Sequence, residues 1–169
     1  MRRILRQREI VQDDWLYLGE DASAEASPDT VSLIVQLAEF KANTLKWLAH
    51  RGRLGVRLSP ADAIEDLAEH SQRLSLIAAE FPSAGEGRGY TQARLARSRL
   101  HFKGELRAVG AAVKQDLLFI MSRCGFDSFE LAAGQKVDEA VRSLDRYTVA
   151  YQPAEPVPSV KQQRFFAAG

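Results

Sequence analysis

Short apolar runs separated by segments of helical period organise most of this 169-residue chain, and that alternation narrows its fold more than any other feature. The runs lie at Val31 to Glu39, Leu54 to Leu58, Ser75 to Phe81, Glu105 to Val109, Ser128 to Leu131 and Thr148 to Tyr151. Strands spaced by one helical segment each predict right-handed crossovers, hence an α/β fold with a mostly parallel sheet built from successive βα units. An open sheet and a partial barrel share this pattern. A complete eight-stranded barrel is disfavoured, because it normally takes about 250 residues.

Local signals fill in the frame. Residues 3 to 18 alternate apolar and polar around Gln12-Asp13-Asp14, with Ile4, Ile10, Trp15 and Tyr17 available to one face, which predicts an N-terminal β-hairpin or two short strands. The small, polar stretch from 19 to 30 reads as a loop. Ser59-Pro60 places an N-cap serine before a first-turn proline, so a helix is expected after Leu58 with Ile64, Leu67, Ala68 and Leu74 as its buried stripe. A second is expected from Ala112 to Cys124, burying Val113, Leu117, Ile120, Met121 and Cys124 and ending at Gly125. Val137, Ala140, Val141 and Leu144 mark a third. Residues 1–152 thus read as one α/β domain. The proline-rich segment 153–169 reads as an irregular C-terminal tail that cannot build a core.

Charge excludes several roles. Lys plus Arg number 23 and Asp plus Glu 22, a net charge of +1, so no global field draws the chain to nucleic acid or to an anionic membrane. The single cysteine, Cys124, has no partner for a disulfide or a C-x-x-C pair, which fits a reducing, cytoplasmic location. No apolar run approaches the ~18 residues of a membrane span. His50, His70 and His101 share no metal-ligand spacing, and no metal is expected.

Three constellations are candidates for chemistry. Glycines 85, 87 and 89 sit between a strand end and a helix start, where backbone N–H groups and the helix N-terminus favour an anion. Gly87, Arg88 and Gly89 are therefore anion-binding candidates, although G-x-G-x-G is neither a dinucleotide fingerprint nor a P-loop and Glu86 opposes phosphate at its centre. Near the strand carboxyl ends lie Glu39, Arg57, Glu80, Arg107 and Glu130, alternating in sign. That edge is where α/β proteins gather functional groups, yet neighbouring strands would also neutralise such charges pairwise. Arg107 joins the anion-binding candidates, and Glu80 and Glu86 are the candidate acid or base residues. Finally, residues 88 to 107 are locally basic, making Arg94 and Arg97 candidates for contact with an acidic partner.

The run F-P-x(4)-G-R-G-Y-T-Q-A-R-L, then F-K-G-E-L-R-A-V-G, Q-D and M-x-R-C-G-F-D-S-F-E-L, spanning Phe81 to Leu131, resembles the bacterial domain of unknown function 934 family. The resemblance implies a place beside the assimilatory sulfite reductase hemoprotein, since members accompany it and have been labelled oxidoreductases of sulfite reduction. The chain itself has no cysteine cluster, dinucleotide loop or flavin motif to carry electrons, so no cofactor is expected. The expectation is an accessory protein of the sulfite reductase system, with Arg164, Phe165 and Phe166 of the tail as further partner-binding candidates. A small α/β enzyme taking an anionic metabolite at the strand carboxyl ends is the alternative.

Overall fold

The computed structural model describes residues 2–21 and 30–144. The expected strand at 148–151 and the tail, with Arg164, Phe165 and Phe166, lie outside the described residues. The chain opens with β1 (Arg3–Arg6) and β2 (Glu9–Gln12), paired antiparallel with Leu5 opposite Ile10. Gln7 and Arg8 between them both take positive φ, 49° and 69°, the left-handed pair that a two-residue hairpin turn of matching twist requires. There follow β3 (Trp15–Tyr17), β4 (Ser32–Gln36), α1 (Leu37–Ala42), α2 (Thr44–Leu48) and β5 (Leu54–Leu58). Two 3-10 turns, Ile64–Leu67 and Ser71–Arg73, lead to β6 (Leu76–Glu80), α3 (Arg88–Ser98), β7 (Glu105–Val109), α4 (Leu118–Arg123), β8 (Ser128–Phe129) and α5 (Val137–Leu144).

All eight strands form one sheet in the order β2-β1-β8-β7-β6-β5-β4-β3. From β3 to β8 each strand pairs parallel with the next in sequence. The sheet is nevertheless mixed rather than mostly parallel, because the hairpin joins it: β1 runs antiparallel to β8, with Leu5 opposite Phe129 and Arg6 opposite Ser128. A two-residue turn can only return the chain antiparallel, so adding the hairpin to the edge imposes this.

The sheet curls into a half-barrel. Flat, its outermost strands would lie about 34 Å apart, seven spacings of about 4.8 Å. Yet those strands, β2 and β3, are joined by Asp13 and Asp14 alone, a reach of about 11 Å. The curl follows from that short connection.

Register sorts the side chains into two faces. Leu33, Val35, Val56, Leu58, Ile77, Ala79, Leu106, Ala108, Leu5 and Phe129 point one way and pack with Leu37, Phe40, Trp47, Ala93, Ala96, Leu118, Met121, Ala140 and Leu144 of the helices. Each fully buried Val, Leu, Ile, Phe or Met among them contributes roughly 1.5–3 kcal/mol. The other, concave face holds a smaller apolar cluster of Trp15, Tyr17, Ile34, Leu76, Ala78 and Val109, and the charged groups described below.

Two expected helices change. Residues 59–74 form only the 3-10 turns, because side chains take over the backbone groups a helix would use. Gln92 donates to the carbonyls of Ser59 and Asp62 at 2.8 and 2.9 Å, even though Asp62 accepts the Ser59 N–H at 2.7 Å as at a helix start. Ile64, Leu67 and Leu74 are buried as expected; Ala68 is exposed. The helix expected from Ala112 begins only at Leu118, which turns its apolar stripe: Leu118 and Met121 face the core, Cys124 is half-buried, and Ile120 is 51% exposed. Gly125, at φ 111°, ends it as its left-handed cap.

Candidate functional site

Successive residues of a strand alternate faces, so Glu105 and Arg107 of β7 both project into the concave side. Arg107 is 0% exposed, the largest of the fully buried side chains. Its Nη1 donates to both oxygens of Asp13 at 3.0 Å, while Nε and Nη2 donate to Glu105 Oε1 at 3.1 and 2.9 Å. Ser128, opposite Arg107 on β8, donates to the same Glu105 oxygen at 2.6 Å, and Arg6 lies 3.6 Å from Glu105 Oε2. Burial alone would lower the Arg107 pKa, but Glu105, Tyr17 and Asp13 more than offset it and raise it. Arg107 is thus saturated by the chain's own carboxylates.

A second group surrounds Tyr17. Its hydroxyl donates to Glu130 Oε2 at 2.9 Å, and its ring lies under the guanidiniums of Arg2, at 4.5 Å, and Arg57, at 5.6 Å. Arg2 reaches Glu130 at 3.4 Å, Asp21 at 3.3 Å and Asp13 at 3.5 Å, which links the two groups. Arg57 bridges Glu20 and Glu80, the latter at 3.0 Å. Burial and the Glu130 charge raise the Tyr17 phenol well above its ordinary value. Of the alternating charges at the strand ends, Arg57 and Glu80 are thus neighbours on adjacent strands. Arg107 and Glu130 instead find partners across the barrel mouth, and Glu39 sits on α1 bonded to Asn43 at 3.0 Å.

At the glycine loop the anion is internal. Glu86 Oε1 accepts the backbone N–H of Arg88 at 3.0 Å and its Nε at 2.9 Å, while Oε2 accepts Nη2 at 2.9 Å. The Arg88 side chain holds the Glu86 carboxyl below its ordinary value. Gly89 serves packing: a Cβ there would stand 2.5 Å from the Phe81 ring. Gly87 has a negative φ of −105°, and a Cβ there would make only an ordinary contact with Tyr90 at 3.9 Å.

The arginines of α3 divide by role. Arg97 ties three segments together, donating to the carbonyls of Phe102 at 2.7 Å, Gly104 at 2.9 Å and Gly125 at 3.2 Å and pairing with Asp127. Arg99 pairs with Glu65 at 3.1 Å. Arg94 is exposed and has no carboxylate partner among the described residues.

Cavities among the described residues include two on this framework. One of about 190 Å³ lies at the carboxyl ends of β7 and β8, lined by Gly110, Ala111 and residues 130–133, with Glu130 its charged member. The other, about 310 Å³, lies between Arg3 of β1 and Lys136, Asp138, Glu139 and Arg142 around α5. Among the described residues no group of three or more His, Cys, Asp or Glu side chains is placed to hold a metal. No described helix is long and apolar enough to cross a membrane.

Sequence reasoning named Arg107, Glu80 and Glu130 but missed Asp13, Tyr17, Arg2, Glu105 and Ser128, which complete their pairings. The i, i+2 spacing of Glu105 and Arg107 was the one available signal, since it puts both on one face of a strand. These features define a mixed α/β protein whose half-barrel mouth is laced by its own ion pairs. The profile of the family described as "Bacterial protein of unknown function (DUF934)" matches residues 55–160, more than half of the chain, and the chain belongs to that family. Among curated proteins no match is found.

Proposed function

We propose that this chain is an accessory protein of the assimilatory sulfite reductase system, acting by contact with a partner and without a redox cofactor of its own. The observation that carries the reading is occupancy. The arginines best placed to hold a small anion, Arg107 inside the half-barrel and Arg88 at the glycine loop, are already engaged by Asp13, Glu105 and Glu86. An incoming anion would have to displace carboxylates covalently tethered beside their partners. The sequence words shared with the family also have architectural work in this fold. Gly89 admits Phe81, Gln92 fixes the loop after β5, and Asp127 accepts the Leu106 N–H and pairs with Arg97 at the starts of β7 and β8.

The test is purification of the tagged chain from its own host under sulfate-dependent growth, beside a version truncated after Pro153. Recovery of the sulfite reductase hemoprotein with the full chain is expected. Recovery with both versions places the contact in the folded part, and recovery with neither, where the hemoprotein is abundant, sinks the proposal. The second reading, a small enzyme taking an anionic metabolite at the strand carboxyl ends, draws on the cavity of about 190 Å³ whose charged lining residue is Glu130.

A further inference from the structure

Among the described strands the sheet ends at β2 on one side and at β3 on the other, and the two edges are finished differently. In β3 the Leu18 N–H bonds across the parallel pair to the Ile34 carbonyl at 2.9 Å, so the backbone groups of Trp15 and Tyr17 face outward. The chain's own groups meet them there. Asp13 accepts the Trp15 N–H at 3.4 Å and Asp21 the Tyr17 N–H at 2.8 Å, while the Tyr17 carbonyl accepts the N–H groups of Glu20 and Asp21 at 3.2 and 2.9 Å. β2 is different. The Asp13 N–H donates to the Arg2 carbonyl at 2.8 Å, which makes Arg2 and Asp13 a hydrogen-bonded pair, and alternation along the hairpin then turns Ile10 and Gln12 away from β1. Among the described residues none meets the outward N–H and C=O of Ile10.

An edge with open backbone groups is a template for another strand. The chain carries a suitable run close by. α5 lies against β1 and β2, and its last residue, Leu144, is buried in the core. Thr148 to Tyr151 begin four residues after Leu144, match β2 in length and include Thr, Val and Tyr, all strong strand formers. Pro153, which has no N–H to give a ladder, stands just beyond. The step from Leu144 to Thr148 can span about 14 Å, roughly three strand spacings, which brings the β2 edge within reach.

We propose that Thr148 to Tyr151 add to the outer edge of β2 and hydrogen-bond to Ile10. Val149 and Tyr151 then share one face of the added strand and extend the apolar cover of the half-buried Ile10 side chain. The occupant is this chain's own segment rather than a second copy, because a short tether gives it an effective concentration in the millimolar range. Pairing closes the edge to other chains and makes the segment 153–169 set out from the N-terminal hairpin. It stands independently of the accessory reading.

Nuclear magnetic resonance of the full chain tests this directly. Nuclear Overhauser contacts between Ile10 and residues 148–151 are expected in the wild type, and their absence would overturn the proposal. The Ile10 amide should also exchange slowly with solvent, to the same degree at every protein concentration. Replacing Val149 and Ala150 together by proline removes whichever of the two N–H groups faces β2, and should speed Ile10 exchange roughly tenfold or more. The Leu5 amide, which faces β8, should keep its protection in that variant and so report that the sheet is intact. Ile10 protection unchanged by the prolines would overturn the segment as occupant. Protection that grows with protein concentration alongside a dimer in sedimentation would overturn it as well and assign the edge to a second copy.

Discussion

The Tyr17 hydroxyl donates to Glu130 at 2.9 Å although 113 residues separate them and four strands lie between β3 and β8. In a flat sheet those two strands would be about 24 Å apart. The hydrogen bond therefore exists only because the sheet is curled, and it helps hold the curl. Removing the hydroxyl with Tyr17→Phe leaves a part-buried carboxylate one donor short. A loss of about 1.5–3 kcal/mol is expected in urea unfolding, the range for a hydrogen bond to a charged group. A change near zero would show that Arg2 alone satisfies Glu130.

The same phenol gives a pH signature. Its folded pKa is raised above the ordinary value of 10.0 by burial and by Glu130. The unfolded chain therefore releases this proton first, and stability present below pH 10 is lost as pH rises above it. In the native protein the phenolate absorbance of one tyrosine should appear only with alkaline unfolding, and Tyr17→Phe should remove that component. Early titration of all tyrosines in the folded protein would contradict the burial of Tyr17.

Adjacent aspartates should differ sharply. Asp13→Ala strips Arg107 of one of two carboxylates in a site where both side chains are almost wholly buried, and breaking a buried pair in this way costs about 3–5 kcal/mol. Asp14 pairs with Arg53 on the surface, so Asp14→Ala should cost less than about 1 kcal/mol. Equal effects by chemical denaturation would refute the assignment of Asp13 as the group that ties the hairpin's exit to β7.

The glycines of the loop offer a similar contrast. Gly89→Ala forces a methyl against the Phe81 ring and should cost about 1–3 kcal/mol. Gly87→Ala meets only Tyr90, at 3.9 Å, and should stay within about 1 kcal/mol of wild type. A loop built as an anion cradle would need both for backbone approach; a packing corner needs only Gly89.

Much of the scaffold is legible in the sequence. Leu54–Leu58 and Glu105–Val109 are strands over the expected residues because each is a five-residue run closed by turn or helix signals. Val137–Leu144 follows its apolar spacing into a helix. A hairpin forms within residues 3 to 18, but it turns at Gln7-Arg8 with Ile10 opposite Leu5, while Gln12-Asp13-Asp14, where the alternation centres, links β2 to β3 instead. What escapes prediction depends on distant partners. The stretch after Leu58 has good helix-start residues, but Gln92, 33 residues from Ser59, binds its carbonyls and a local reading cannot see that. The partners Asp13 and Arg107 lie 94 residues apart, and only the curl of the sheet brings them together. Arg97 illustrates the same limit: basic and helical in sequence, it reads as a surface contact, yet its guanidinium is spent on three backbone carbonyls and Asp127.

The central claim is that the cations of the half-barrel mouth and the glycine loop are occupied from within, so that the chain acts through its surface. Thermal unfolding of the full chain across sulfite, sulfate and phosphate concentrations tests it most directly. A ligand bound to the native state stabilises it by about 2.7 kcal/mol at a hundredfold excess over Kd. The account predicts no saturable rise with any of the three anions. A saturable rise that disappears in Arg88→Ala would contradict it and return the glycine loop to the status of an anion site.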